Sequence, residues 1–262
     1  MVDGKPLDKY GEVLLCAKLP FDTWRKRHDQ VKVTIEAIIN DCGVIADMEP
    51  YGLFSALIPS TATSSNGDLQ YSRDRQGLVP DFLITLPAQH GPSSCQLAEL
   101  KCISAGATWY KSKQKAVDQK AKGLPKLYLD KAKKIDRKYC NTDENQVGPL
   151  QQRLQSYGQL LSLVVGQYGE VSQDLHSLMV TLVNSKVTHV SQLEGRPISV
   201  SERGIFLQQM RRRLSVAIIT AQSSCLLSRL GHMAPGAREA AKRRSFAKHR
   251  EESLAKDRQA HF

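Results

Sequence analysis

Two apolar runs that carry charges where a buried strand has no room for them constrain this chain more than any other feature. Leu78 to Leu86 reads LVPDFLITL and Cys95 to Ile103 reads CQLAELKCI, joined by PAQHGPSS. Apolar residues fall on both faces of each run, so the two read as buried strands of a hairpin, covered on both sides, as in an α/β protein. Side chains alternate along a strand, so Leu97, Glu99, Lys101 and Ile103 share one face. By the same rule Val79, Asp81, Leu83 and Thr85 share a face of the partner. Unpaired buried charges cost several kcal/mol each, so Asp81, Glu99 and Lys101 must be paired, bound to an ion, or placed at the mouth of a cleft. Pro80 has no N–H to give a ladder and belongs at a strand start, edge or bulge, just before Asp81.

The remaining pattern fills in a single α/β domain with a mixed central sheet of about four strands. From Asp22, an N-cap residue, to Asp41, the apolar positions Trp24, Val31, Ile35, Ile38, Ile39 and Cys42 make one helical stripe, which Gly43 ends. Val44 to Met48 is short and β-like, and Ser60 to Gln76 has the composition of a surface loop. Trp109 to Tyr139 is helical and basic, and Pro125 is expected to divide it into two helices. Pro149 to Tyr157 reads as a short helix and Leu160 to Val165 as another buried strand. Val171, Leu175, Leu178, Met179, Leu182 and Val183 mark an amphipathic helix. Ser201 is expected to cap a last long helix with the ridge Phe206, Met210, Leu214, Ala217 and Ala221.

Composition narrows the partner. The 262 residues carry 37 Lys and Arg against 26 Asp and Glu, a net charge of +11. Lys101 to Tyr139 alone holds twelve basic residues and three Asp. An imbalance that large on one stretch, with Trp109, Tyr110, Tyr128 and Tyr139 interleaved, suits a surface that tracks a nucleic-acid backbone and stacks on bases. Arg73, Arg75, Lys111, Lys113, Lys131, Lys133 and Lys134 are the expected contacts. The first twenty residues lack a signal-peptide core, and the most apolar stretch, Leu214 to Leu227, is interrupted by Thr220, Gln222, Ser223 and Ser224. Six scattered cysteines form no CxxC pair. These features point to an intracellular protein, nuclear or cytoplasmic, with no membrane partner. Neither GxSxG nor a phosphate-cradling glycine loop is present, and His28, on the apolar stripe of the first helix, reads as a core histidine.

Two carboxylates on adjacent strands make a hard-oxygen site suited to Mg²⁺ or Mn²⁺, and a lysine two residues along points at whatever the metal holds. A metal there polarises a phosphoryl oxygen and lowers the pKa of a bound water, while the ammonium offsets charge in the transition state. That is the chemistry of phosphodiester hydrolysis. The plain alternative is a structural charge cluster.

Pro80-Asp81, followed eighteen residues after Asp81 by Glu99-Leu100-Lys101, resembles the signature of the PD-(D/E)XK nuclease superfamily, the restriction-endonuclease-like fold. The expected order, helix, short strand, PD strand, ExK strand, helix, strand, is similar to its αβββαβ core over about residues 22–167. The resemblance implies a core over 22–167 with a basic helical insertion (109–139), preceded by an N-terminal extension (1–21) and followed by a helical extension packed on the core (168–232) and a basic, frayed or disordered tail (233–262). It implies a nucleic-acid substrate, DNA before RNA. The compact core with basic flanks also resembles endonuclease-type domains of eukaryotic mobile elements. The resemblance implies that Asp81 and Glu99 ligate Mg²⁺ (or Mn²⁺), that the Leu100 carbonyl can join them, and that Lys101 positions the attacking water. Many members add an acid from the first helix, which here implies Glu36, with Asp29 and Glu49 as rivals. Many also carry Gln and Tyr on the second core helix; Gln152, Gln155 and Tyr157 lie near that place, but their spacing departs from the family pattern. Competing classes are a catalytically inactive nucleic-acid-binding module of the same fold and an adaptor for an acidic protein partner.

Overall fold

The computed structural model describes Leu14 and residues 23–57, 78–86, 95–104 and 113–233. Among these, five helices and four strands follow one another as α1 (Thr23–Asn40), β1 (Ile45–Met48), β2 (Phe82–Thr85), β3 (Cys95–Cys102), α2 (Lys113–Cys140), α3 (Pro149–Ser156), β4 (Leu161–Val165), α4 (Gln173–Glu194) and α5 (Val200–Met233). The Asp22 cap, the 60–76 loop with Arg73 and Arg75, Trp109, Tyr110, Lys111 and the tail from 234 lie outside the described residues.

The sheet runs β1-β2-β3-β4. The first two pairings are antiparallel and the third is parallel, so the sheet is mixed. Alternation explains why both faces need helices. Phe82, Ile84, Ala98, Leu100, Leu163 and Val165 point into one core, shared with Val31, Ile35, Ile38 and Ile39 of α1 and with the inner faces of α4 and α5. Leu97 points the other way, into a second core with Tyr128, Ala132 and Ile135 of α2 and Leu150 and Leu154 of α3. Residues 168–232 therefore supply much of the larger core through α4 and α5.

Two expectations about helices are corrected. Pro125 does not divide the basic segment; it lies inside the 28-residue α2. Val117, Leu124, Tyr128, Ala132 and Ile135 are buried in a stripe that continues past it. Burial of each large side chain stabilises by about 1.5–3 kcal/mol, which together outweighs the roughly 3 kcal/mol cost of an internal proline. Ser199, rather than Ser201, caps α5. Its Oγ accepts from Glu202 N at 3.2 Å, and its own N–H donates to Glu202 Oε2 at 2.9 Å, the reciprocal pair of a capping box.

Buried Asp136 on α2 fixes α3, accepting from Leu150 N and Gln151 N at 2.9 and 3.0 Å at that helix's first turn. Gly148 permits this approach, since a Cβ there would lie 2.2 Å from Asp136 Cγ. α5 is long and apolar enough in composition to cross a membrane. Its ridge of Met210, Leu214, Ile218, Ala221 and Cys225 is buried in the protein.

Candidate active site

β2 begins at Phe82, opposite Ala98, while β3 runs on to Cys102. One step beyond the Phe82–Ala98 pair, the register sets Asp81 against Glu99, and cross-strand neighbours have Cβ atoms about 4.5–5.5 Å apart. Pro80, immediately before, has no N–H with which to prolong the ladder. The strands therefore part at Asp81, and among the described residues no strand lies along the edge of β3 from Leu100 to Cys102 on that side.

Side chains close this notch. Asp81 Oδ2 accepts from Leu100 N at 2.8 Å. The Leu100 carbonyl lies 3.1 Å from His28 Nε2, and the Cys102 carbonyl accepts from Arg27 at 3.0 Å. The same His28 nitrogen stands 3.3 Å from Asp81 Oδ2. Lys32, one turn further along α1, lies 3.6 Å from Asp81 Oδ1 and pairs with Glu49, which also accepts from Tyr51. On the α2 side, Glu99 takes one hydrogen bond from Lys101 and one from the buried Tyr128 hydroxyl.

Asp81 and Glu99 are both buried, yet their acidities diverge. Burial alone would raise Asp81, but the hydrogen bond and charge of His28, with Leu100 N and Lys101, hold its carboxyl below the usual range. Burial raises Glu99, and the nearby Asp81 charge raises it further against the pull of Lys101 and Tyr128. Burial would lower His28, but Asp81 outweighs it and the ring pKa is raised. Lys32 is likewise raised despite burial, through Glu49 and Asp81. One carboxylate is thus held ionised while its neighbour is the easier to protonate.

The structure brings together Asp81, Glu99, the Leu100 backbone and Lys101. Glu36 lies one turn beyond Lys32 on α1, and its side chain makes no hydrogen bond or ion pair among the described residues. Its rivals are nearer: Asp29 contacts His28 Nδ1 at 3.2 Å and Glu49 reaches the cluster through Lys32. Lys133 and Lys134 are exposed on α2, whereas Lys131 is half-buried with its ammonium 5.5 Å from the Tyr128 ring centroid. The backbone of Lys113 begins α2. On α3, Gln152 and Gln155 are exposed, and Gln151 is the buried glutamine.

His28 and Lys32 were not singled out as site residues in the sequence, and the expectation that Tyr128 stacks on bases at the surface is corrected: it is buried in the second core, and its hydroxyl meets Glu99. The signal for the first two was the four-residue spacing on the inner face of α1, which aligns two basic side chains along a core helix. Tyr128 carried none, since nothing in α2 indicates which strand its hydroxyl meets.

Among the described residues no group of three or more His, Cys, Asp or Glu side chains is arranged to hold a metal ion. The oxygens of Asp81, Glu99 and the Leu100 carbonyl are nevertheless a hard donor set, of the chemistry Mg²⁺ and Mn²⁺ take. No family model, no curated protein and no solved structure matches this chain.

Proposed function

We propose that the chain is a metal-dependent nuclease of restriction-endonuclease-like architecture, hydrolysing phosphodiester bonds of DNA in preference to RNA. The observation that carries this reading is the opposition of Asp81 and Glu99 across a parted strand pair, with Lys101 bonded to Glu99 on the same face. The element order and the β1-β2-β3-β4 sheet, antiparallel twice and then parallel, support the same family.

Asp81, Glu99 and the Leu100 carbonyl would hold Mg²⁺ or Mn²⁺. When bound, such an ion supplies a Lewis acid for the phosphoryl oxygen and a water of lowered pKa. The chain's own residues do the rest. Tyr128 fixes one Glu99 oxygen, so the other keeps a defined direction. His28 and Leu100 N hold Asp81 ionised. Lys101, about a third exposed while its partner is buried, is the cation free to turn from Glu99 toward a water and the phosphoryl charge. The same α2 that carries Tyr128 inward presents Lys115, Lys120, Lys122, Lys126, Lys133, Lys134 and Lys138 outward. A backbone held on that face lies against the helix that orders Glu99.

A second reading, a nucleic-acid-binding module without chemistry, is favoured by one observation: His28, Lys32 and Lys101 already match the carboxylates with protein cations. Asp81→Asn separates the two. In the nuclease it abolishes Mg²⁺-dependent cleavage and preserves or raises DNA affinity measured without metal, because it removes a negative charge from the phosphate path. Lys101→Ala should lower the cleavage rate by about 10²–10⁴ with affinity little changed. Wild-type protein that binds neither Mg²⁺ nor Mn²⁺ and cleaves neither single- nor double-stranded DNA or RNA would establish the binding module instead.

A further inference from the structure

α5 is apolar on two opposite faces. Its inner ridge of Met210, Leu214, Ile218, Ala221 and Cys225 fills the core, while on the outer side Val216, Ile219, Leu227 and Leu230 are between 47% and 69% exposed. A helix that is apolar all round is ordinarily covered all round. The outer side also lacks charge, since from Leu214 to Ser228 the sequence holds no Lys, Arg, Asp or Glu. That is about four turns of exposed helix with the composition of a contact surface.

The order of these residues selects what covers them. At about 3.6 residues per turn, positions 216, 219, 223, 227 and 230 form one stripe along α5. The stripe is the same in both directions: Ile219 and Leu227 lie four residues either side of Ser223, and Val216 and Leu230 seven. A two-fold axis at Ser223 therefore sets Ile219 of each copy on Leu227 of the other, and Val216 on Leu230, which is the reciprocal contact of a symmetric dimer. Ser223, exposed at the centre of the stripe, is small enough to let two helices approach closely there. Charge excludes the parallel alternative. Arg211, Arg212 and Arg213 precede the stripe, and a parallel pair would bring both triplets together, like on like. The antiparallel pair separates them. It carries the exposed Arg212, eleven residues before Ser223, to the C-terminal end of the other copy's α5, which runs to Met233 with Pro235 two residues on in the sequence. A cation is stabilising at a helix C-terminus.

We infer that the outer face of α5 is a dimer surface, on which a second copy of this chain lies antiparallel with the two-fold axis at Ser223. The contact does not depend on the nuclease reading.

Sedimentation equilibrium of the full chain should show a monomer–dimer equilibrium. Ile219→Glu should raise the dimer dissociation constant at least about a hundredfold, because each dimer would bury two carboxylates without a cation. Ile219 is exposed in the single chain, so at concentrations where both proteins are monomers the variant should unfold at the wild-type Tm. Cross-linking supplies a second measurement that adds no charge. Under mild oxidation Ser223→Cys should yield a disulfide-linked dimer absent from wild-type protein, whereas Val216→Cys, whose two copies would stand about 21 Å apart along the helices, should not. Cross-linking of both variants would show a parallel pair, and of neither, no pair in this register; either result overturns the proposal. So does wild-type protein that remains monomeric at about 0.1 mM, or a dimer that Ile219→Glu leaves intact. Monomeric wild-type protein that floats with phosphatidylcholine/phosphatidylserine vesicles, and loses this in Ile219→Glu, would give the face to a membrane instead and overturn the proposal as well.

Discussion

Tyr128→Phe tests whether Glu99 is held as an ionised buried carboxylate. The hydroxyl is buried and donates to Glu99, with the Val79 carbonyl 3.2 Å away. Its removal takes from Glu99 one of two donors and leaves Lys101 as the other. A hydrogen bond to a buried charge contributes about 1.5–3 kcal/mol, whereas losing the hydroxyl's own desolvation returns part of that, so a net loss of about 2 kcal/mol is expected. At this chain length that is a fall of about 4–8 °C in Tm. The informative measurement is a double-mutant cycle with Glu99→Gln by urea denaturation at pH 8. In the Gln background the phenol faces a neutral amide, and Tyr128→Phe should cost about 1 kcal/mol or less. Lower pH should shrink the cost in wild-type protein too, because the Glu99 carboxyl is already raised and takes up a proton early. Equal costs in both backgrounds, at pH 8 and below, would refute the claim that Tyr128 acts through the Glu99 charge.

Two further outcomes concern binding and pH. Exchanging Lys133 and Lys134, both exposed on α2, for Glu should flatten the slope of log DNA affinity against log salt by about 1.8, as expected from two lost phosphate contacts; an unchanged slope places the polyanion elsewhere. His28 has a folded pKa above its ordinary 6.5 because Asp81 favours the charged ring, so its contribution is complete below 6.5 and disappears as pH rises through the folded value. Urea denaturation should therefore show wild-type stability declining above pH 6.5 and His28→Asn lacking that decline, and superimposable profiles would remove His28 from the cluster.

The elements that the sequence made legible are those whose signal is local. The α1 stripe, the paired runs around Asp81 and Glu99, and the apolar LLSLVV strand each declare their period within a few residues, and the mixed four-stranded sheet follows from them. Pro125 misled because its cost is local while the compensation is not: Leu124, Tyr128 and Ala132 meet their packing partners only in the folded chain. The α5 cap was misplaced by two residues for a related reason. Ser199 and Ser201 are both acceptable caps by type, and only the spacing to Glu202 distinguishes them.

Asp81, Glu99 and Lys101 stood out because a charge inside an apolar strand contradicts its surroundings, and the contradiction is visible without a fold. His28 and Lys32 contradict nothing: each occupies a position that an ordinary amphipathic helix could give to a boundary residue. Their place at the notch depends on where α1 lies over the sheet, and Val31, Ile35 and Ile39 hold it in the core they share with Phe82 and Leu100. The same placement carries Arg27 to the Cys102 carbonyl of β3. Three basic residues of one helix are thus committed to the site by the apolar ones between them. A substitution such as Ile35→Ala would then act on the site without touching it, by loosening the contact that keeps His28 on Asp81.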